Sequence, residues 1–290
     1  MSTFLSIIVT GLVDGSIYAL VALGFTLCFK AGGALNFAQG TLMLFGGYLC
    51  VSVLASRNAI VGLLVATVLS GLIAGGGYFA GFSRMRKSLD PVAITIITMG
   101  ASFAFGAVID LIWHSAALVY AFPGGETTIH VAGDVYVTPL DMGIVAATVV
   151  IFILLELLLS RTRLGIQMRA SADSPSLAAR SGLNVALLSA CAWGIAGALA
   201  GFSGGLDAAI SGVSATLSNV GLLAFPAAVI GGFGSVRGAL VGGLALGLAD
   251  QAAVYYISPA SADAVAYLIM LAVLFARPSG LFGDPHVIRA

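Results

Sequence analysis

Ser203 stands in Gly-Phe-Ser-Gly-Gly, residues 201–205, a run that satisfies the G-x-S-x-G pattern of hydrolase nucleophiles. A serine becomes a nucleophile only with a base within hydrogen-bond reach. The three histidines, His114, His130 and His286, fall in or beside polar segments, and none lies inside an apolar run. Small residues that let two helices approach closely explain the run better, so no catalytic residue is assigned. No metal ligand is assigned either, because no His/Glu pair at i, i+3 or i+4 stands within an apolar run. Cys28, Cys50 and Cys191 lack CxxC spacing and read as small buried apolar residues. No GxxxxGK[ST] loop occurs, so the chain cannot cradle ATP in the P-loop manner. "GGFGSVRG" (231–238) has one residue too many for a dinucleotide fingerprint. Gly231, Gly232, Gly234 and Gly238 are therefore read as a tight turn and packing contact between two helices.

The remaining chemistry is polar groups in apolar surroundings, where an ionisable side chain is expensive and counts as a functional candidate. Asp14, Asp110, Glu156, Asp207 and Asp250 fall in or near apolar runs, with Lys30 and Arg237 as basic neighbours. Asp110 and Glu156 are close enough to run ends to reach the interface. Asp14 and Asp250 are deeper, and each either lines a solute path or pairs with a helix terminus. Asn36 and Gln39 sit at an expected helix break, where amides and carbonyls face a cavity. Thr95 and Thr98, one turn apart, form a second pair. Asn36, Gln39, Thr95, Thr98 and Asp14 are the solute-pathway candidates.

The elements that must hold these groups are membrane helices. The chain is 60% hydrophobic and 8% charged, with a mean hydropathy of +1.10, whereas an ordinary soluble domain is about 25% charged. Unbroken apolarity without period-2 alternation selects helices over a barrel. The expected class is an all-α polytopic membrane protein, one domain over residues 1–290, with eight to nine transmembrane or re-entrant helices. The segments are 5–29, 40–56, 59–83, 92–113, 140–160, 186–207, 219–233, 238–257 and 263–277. Three of them, 40–56, 219–233 and 263–277, are short for the roughly 20 residues of a crossing. The run from Phe4 to Phe29 is too long for a signal-peptide core and no basic n-region precedes it, so it reads as a retained first helix. Zero net charge points to no nucleic acid partner.

Lys and Arg collect on cytoplasmic loops. Arg84, Arg86 and Lys87 form one cluster, and Arg161, Arg163, Arg169 and Arg180 another, while 114–139 holds Glu126 and Asp134 but no Lys or Arg. The loop at about 161–185 is thus expected inside and that at about 114–139 outside. The N-terminus is then external, and the C-terminus, with Arg277 and Arg289, is cytoplasmic. Arg57 is the basic residue left outside. "GGALNFAQGTLMLFGG" (32–47) and "GGFGSVRGALVGG" (231–243) echo each other, as transporter repeats do.

"RASADSPSLAARSGL" (169–183) is punctuated as one short helix, with Ser174 to cap it, Pro175 in its first position and Gly182 to close it. Two turns cannot stand alone in water. The helix docks either on its own membrane domain, as a connector, or on a partner, as a coupling element.

The sequence resembles the branched-chain amino acid permease family of bacterial ABC importers over nearly its whole length. "GSIYALVALGFTLCFKAGGALNFAQGTLMLFGGY" (15–48) is similar to that family's first block, including Asn36-Phe37-Ala38-Gln39-Gly40. "TRLGIQMRASADSPSLAARSGLNV" (162–185) resembles its cytoplasmic loop, and "AFPAAVIGGFGSVRGALVGGL" (224–244) and "RPSGLFG" (277–283) match two further blocks. The family more often has His than Gln at the place of Gln39, and the 114–139 loop matches nothing in it.

The resemblance implies a permease subunit in a bacterial inner membrane that binds no cofactor itself. It implies a second related permease chain, two ATPase subunits holding ATP and Mg, and a solute-binding protein outside. It makes Ser174, Pro175, Leu177, Ala178, Ala179, Arg180 and Gly182 the ATPase-coupling helix. The solute would be a branched-chain amino acid or a related amino acid, amide or organic acid. The competing class is a self-sufficient secondary transporter or channel. Such a protein uses intramembrane acids, bases or histidines for its coupling ion, and this chain has few.

Overall fold

Backbone polar groups in hydrocarbon must be satisfied within their own segment, and apolar runs of this length therefore coil into helices. The computed structural model describes residues 2–54, 58–83, 90–120, 122–125, 127–132 and 135–283. In chain order the helices are α1 (Ser2–Gly32), α2 (Gln39–Leu54), α3 (Ala59–Gly77, continued by a π-turn at Tyr78–Phe82) and α4 (Pro91–Trp113). There follow α5 (Pro139–Arg161), α6 (Arg163–Asp173), α7 (Pro175–Arg180), α8 (Val185–Ser211), α9 (Leu217–Gly231), α10 (Val236–Tyr256) and α11 (Ala262–Ala276). Seven of these segments are long and apolar enough to cross a membrane, among the described residues.

Of the three runs expected to be short, 263–277 is extended by a 3-10 turn at Pro259–Ser261 into a crossing of 18 residues. The other two stay short. At 1.5 Å per residue, the 16 residues of α2 and 15 of α9 span only about 24 and 22 Å. Each follows a long helix and a break, α1 with 33–38 and α8 with 212–216. The 114–139 segment carries a small hairpin, β1 (Ile129–Ala132) antiparallel to β2 (Val135–Val137), and a bridge from Leu118 to Val213. The Arg84/Arg86/Lys87 cluster, Arg57, Glu126, Asp134, His286 and Arg289 lie outside the described residues.

The helices form two halves of opposite direction, α1–α4 and α8–α11. A Cβ on Gly11 or Gly15 would meet Leu248 or Leu244, and one on Gly243 would meet Ala19, so α1 and α10 run antiparallel. In the same way Gly75 and Gly71 of α3 face Ala190 and Ala198 of α8, and Gly201 faces Ala66. Each half's long helix thus packs on the third helix of the other half, the arrangement of an inverted repeat. The 32–47 and 231–243 echo falls on non-equivalent elements. The first covers a break and α2, the second the turn from α9 to α10, and the counterpart of 33–38 is 212–216. A spacing of glycines marks close approach wherever it occurs, which is why the echo does not follow the repeat.

At one end of the bundle lie the end of α1, α6–α7, the α9–α10 turn and residues 277–283, tied by Lys30 Nζ to the Gly234 carbonyl (3.2 Å), Ser189 Oγ to the Ala31 carbonyl (3.1 Å) and Leu281 N to the Ile230 carbonyl (2.9 Å). At the other end Trp113 Nε1 donates to Ser52 (2.8 Å) and Tyr48 to the Ala116 carbonyl (2.9 Å). Every described Lys and Arg lies at the first end.

Candidate solute pathway and coupling helix

The first break is held open by the two pairs that the sequence offered separately. Residues 33–38 leave α1 with Gly33 at φ 68°, and their backbone needs partners outside any helix. Thr95 Oγ1 accepts from Leu35 N (3.3 Å). Thr98 Oγ1 accepts from Phe37 N (3.1 Å) and lies 3.3 Å from the Leu35 carbonyl. Asn36, buried, accepts from Ala38 N (3.1 Å) and so starts α2. Gln39 is fully buried and donates from Nε2 to the Ala196 carbonyl of α8 (2.8 Å), while its Oε1 has no hydrogen-bond partner. The structure thus gathers Asn36, Gln39, Thr95 and Thr98 into one cluster. None of the four lines either cavity below: the broken backbone engages Asn36, Thr95 and Thr98, and α8 holds the Gln39 amide.

The open space lies beside that cluster. A groove of ≈ 390 Å³ runs between α2, α4 and α9, lined by Phe37, Thr41, Ser102, Phe103, Asp110 and Asn219 among others. Thr41 and Ser102 hydroxyls meet across it at 2.5 Å, and Ser115 donates to Asp110 at 2.8 Å. A second cavity of ≈ 240 Å³ opens at the other break, where Ser211, Ser214 and Thr216 surround the carboxylates of Asp14 and Asp207. Asp14 accepts from Gln251 (2.5 Å) and Tyr18 donates to Asp250 (3.2 Å), so three acids cluster where α1, α8 and α10 meet, and among the described residues no Lys or Arg lines that cavity. The start of α9 borders both spaces, through Leu217 and Val220 on one side and Ser218 and Asn219 on the other. Sequence reasoning flagged Asp14, Asp207 and Asp250 singly. It missed Thr41, Ser102 and Asn219, which as isolated polar residues in glycine-rich helices carry no signal of their own.

The cytoplasm-predicted loop holds two helices where one was expected. Thr162 caps α6 by accepting from Gly165 N (3.1 Å), and Gly165, Met168 and Ser171 turn one face inward. Spacing of i, i+3 and i+6 over those three residues was the available signal. Ser174 occupies the N-cap of α7, but its side chain makes no capping bond. Its carbonyl accepts from Ala178 N (2.9 Å), and its hydroxyl lies 3.4 Å from that of Ser176. Pro175 stands at the first helical position. Gly182 has φ 82°, and Leu183 N closes the turn on the Ala178 carbonyl (3.0 Å). Ala178 is buried against the chain itself, whereas Leu177, Ala179 and Arg180 are exposed. Of the glycines at 231–238, Gly232 (φ 97°) and Gly234 (φ 89°) make the turn from α9 to α10, and Gly231 and Gly238 touch backbone to backbone. Ser203, fully buried, donates to the Ala200 carbonyl (2.9 Å).

A bundle of crossing helices with two short helices that follow breaks and border polar cavities is the architecture of a membrane permease. The family model "branched-chain amino acid transport system / permease component" matches residues 7–274. The chain belongs to that family. It is similar to the high-affinity branched-chain amino acid transport system permease protein LivH of Escherichia coli K12, at 30% identity over 299 residues, 98% of this chain and 97% of that one. BraD of Pseudomonas aeruginosa, a permease protein of a system of the same description, is 28% identical over 307 residues, again 98% and 97% of the two chains. The probable branched-chain amino acid transport permease protein LivH of Methanocaldococcus jannaschii is 30% identical over 295 residues, 94% of this chain and 90% of that one.

Proposed function

We propose that this chain is the membrane-spanning permease of an ATP-binding cassette importer for a branched-chain amino acid or a related amino acid, amide or organic acid, delivered by an external solute-binding protein. The observation that carries this reading is the unbroken family match across residues 7–274. The names of the LivH and BraD relatives support the solute class.

The groove between α2, α4 and α9 is half of the solute path in this reading. Hydroxyls, an amide and the Asp110 carboxylate facing lipid would be unfavourable, and a second, related permease chain covering them turns the groove into a wetted channel. Phe37, Leu44 and Leu222 suit an aliphatic side chain, and Thr41, Ser102, Asn219 and Asp110 suit the polar end of an amino acid. The exposed face of α7, with Leu177 and Arg180, docks on an ATPase subunit. Two such subunits supply ATP and Mg, and this chain binds neither. Closure of the ATPases moves α7, and α5 and α8, which flank the α6–α7 loop, reorient the path between external and cytoplasmic access. Basic residues gathered at one end of the bundle support a cytoplasmic α6–α7 and C-terminus, an external N-terminus and an inner-membrane location.

Co-purification of the tagged chain from its native host tests this. Recovery of ATPase and second permease subunits supports it. A chain that transports alone in liposomes without ATP refutes it and favours a secondary transporter.

A further inference from the structure

At the end of the bundle that carries the basic residues, a recess of ≈ 210 Å³ lies between α1, α5, α6 and the start of α10. Lys30, Arg169 and Arg237 line it, against the single carboxylate of Glu156. Glu156 is bound to Arg237 at 3.2 Å, and that pair is open to solvent, with the two side chains 42% and 81% exposed. Among the described residues, Lys30 and Arg169 find only backbone carbonyls, those of Gly234 (3.2 Å) and Ser160 (3.4 Å). Three cations against one anion leave the recess positive. Ser235 Oγ already accepts from Gly238 N (3.0 Å), and the N–H groups of Val236 and Arg237, at the positive end of the α10 dipole, add to that potential.

The recess does not stop at the helix ends. It shares Glu156, Val236 and Arg237 with an apolar groove of ≈ 310 Å³ between α5 and α10. From Glu156 the groove runs back one turn to Phe152 and Ile153, and from Arg237 it runs forward one turn to Leu240 and Val241. Both directions lead away from the helix ends, toward the middle of the bundle. A positive head and an apolar tail channel are therefore stacked in the order of a lipid's phosphate and acyl chain.

We infer that this is a binding site for one anionic phospholipid, with its phosphate among Lys30, Arg169 and Arg237 and an acyl chain along α5 and α10. Basic pockets between membrane helices at the cytoplasmic side recognise lipid headgroups in this way. Arg169 lies on α6, directly before the α7 projection, so the lipid ties the bundle to that helix pair. The site is independent of which solute is carried.

The full chain, purified in detergent, is tested by native mass spectrometry and thermal unfolding against phosphatidylglycerol, phosphatidylcholine and soluble glycerol phosphate. Phosphatidylglycerol is expected to bind and stabilise, and phosphatidylcholine to do neither. Lys30→Gln and Arg169→Gln should each weaken phosphatidylglycerol about fivefold, whereas Glu156→Gln should strengthen it. Ile153→Trp, which fills the groove, should weaken the lipid and leave glycerol phosphate unaffected. Glycerol phosphate binding as well as the lipid makes the recess a phosphate site and overturns the acyl-chain half. Equal response to the two lipids, or loss of co-purified ATPase without loss of lipid in the Lys30 and Arg169 variants, overturns the proposal outright. Since Glu156→Gln is read as a gain, misfolding cannot imitate support.

Discussion

Gly24 of α1 faces the buried amide of Gln39, and a Cβ there would collide with Nε2. Gly24→Ala by itself favours the helix by about 1 kcal/mol. In this site the added methyl displaces the amide and breaks its 2.8 Å bond to the Ala196 carbonyl, at a cost of about 1 kcal/mol. It also overpacks a fully buried contact, costing about 1–3 kcal/mol. The net expectation is a loss of about 1–3 kcal/mol. In a Gln39→Ala background the amide is gone and the space is empty. Gly24→Ala then fills it, and the nearest fixed atom, the Ala196 carbonyl oxygen at 3.3 Å, needs to give only slightly. The same substitution should there be neutral or stabilising by about 1 kcal/mol, so its sign reverses. Thermal or denaturant unfolding of the four proteins in one detergent measures the coupling, expected at about 1–4 kcal/mol. Effects that add to within about 0.5 kcal/mol would refute the reasoning, because distant independent sites do that.

Thr98→Val removes the acceptor of Phe37 N and should cost about 1–2 kcal/mol of stability with a loss of transport, while Thr98→Ser keeps both. Unfolding midpoints and uptake in proteoliposomes distinguish the two, and equal behaviour would separate Thr98 from the break. Gly182→Pro cannot adopt φ 82° and Leu177→Asp alters an exposed face, so both should abolish solute-stimulated ATP hydrolysis while the chain still inserts. Normal coupling in both would make α7 a mere connector. Ala178→Glu is a poorer probe, since it buries a charge in the chain's own packing. Ser203→Ala should leave transport unchanged and stability within about 1 kcal/mol, because the hydroxyl bonds only to its own helix. Loss of an activity on that change would revive a nucleophilic role.

Element existence was legible because it rests on local pattern. A long apolar run, and a Ser174, Pro175 or Gly182 at a helix's limits, act over a few residues. The α6 helix escaped because its mean character is polar and its inward face is only Gly165, Met168 and Ser171. The crossing at 263–277 looked short because the turn at Pro259–Ser261 that lengthens it starts with a proline. Asn36, Gln39, Thr95 and Thr98 were recognisable as polar groups out of place, but their number said nothing of whether they faced water or backbone.

By itself the sequence determined that this chain is a bundle of membrane helices, where those helices lie, which glycine-rich stretches turn or pack closely, and which family it belongs to. Those properties follow from hydrophobicity and backbone preference, which act residue by residue. The tertiary structure decided the pairing of the two inverted halves, the binding of residues 35 and 37 to threonines some 60 positions away, the gathering of Asp14, Asp207 and Asp250 around a break, and the continuity of the basic recess with an apolar groove. Each of these depends on which helix faces which. In a chain so uniformly apolar, hydrophobicity cannot distinguish one helix face from another, and close glycine contacts with a few hydrogen bonds make the choice.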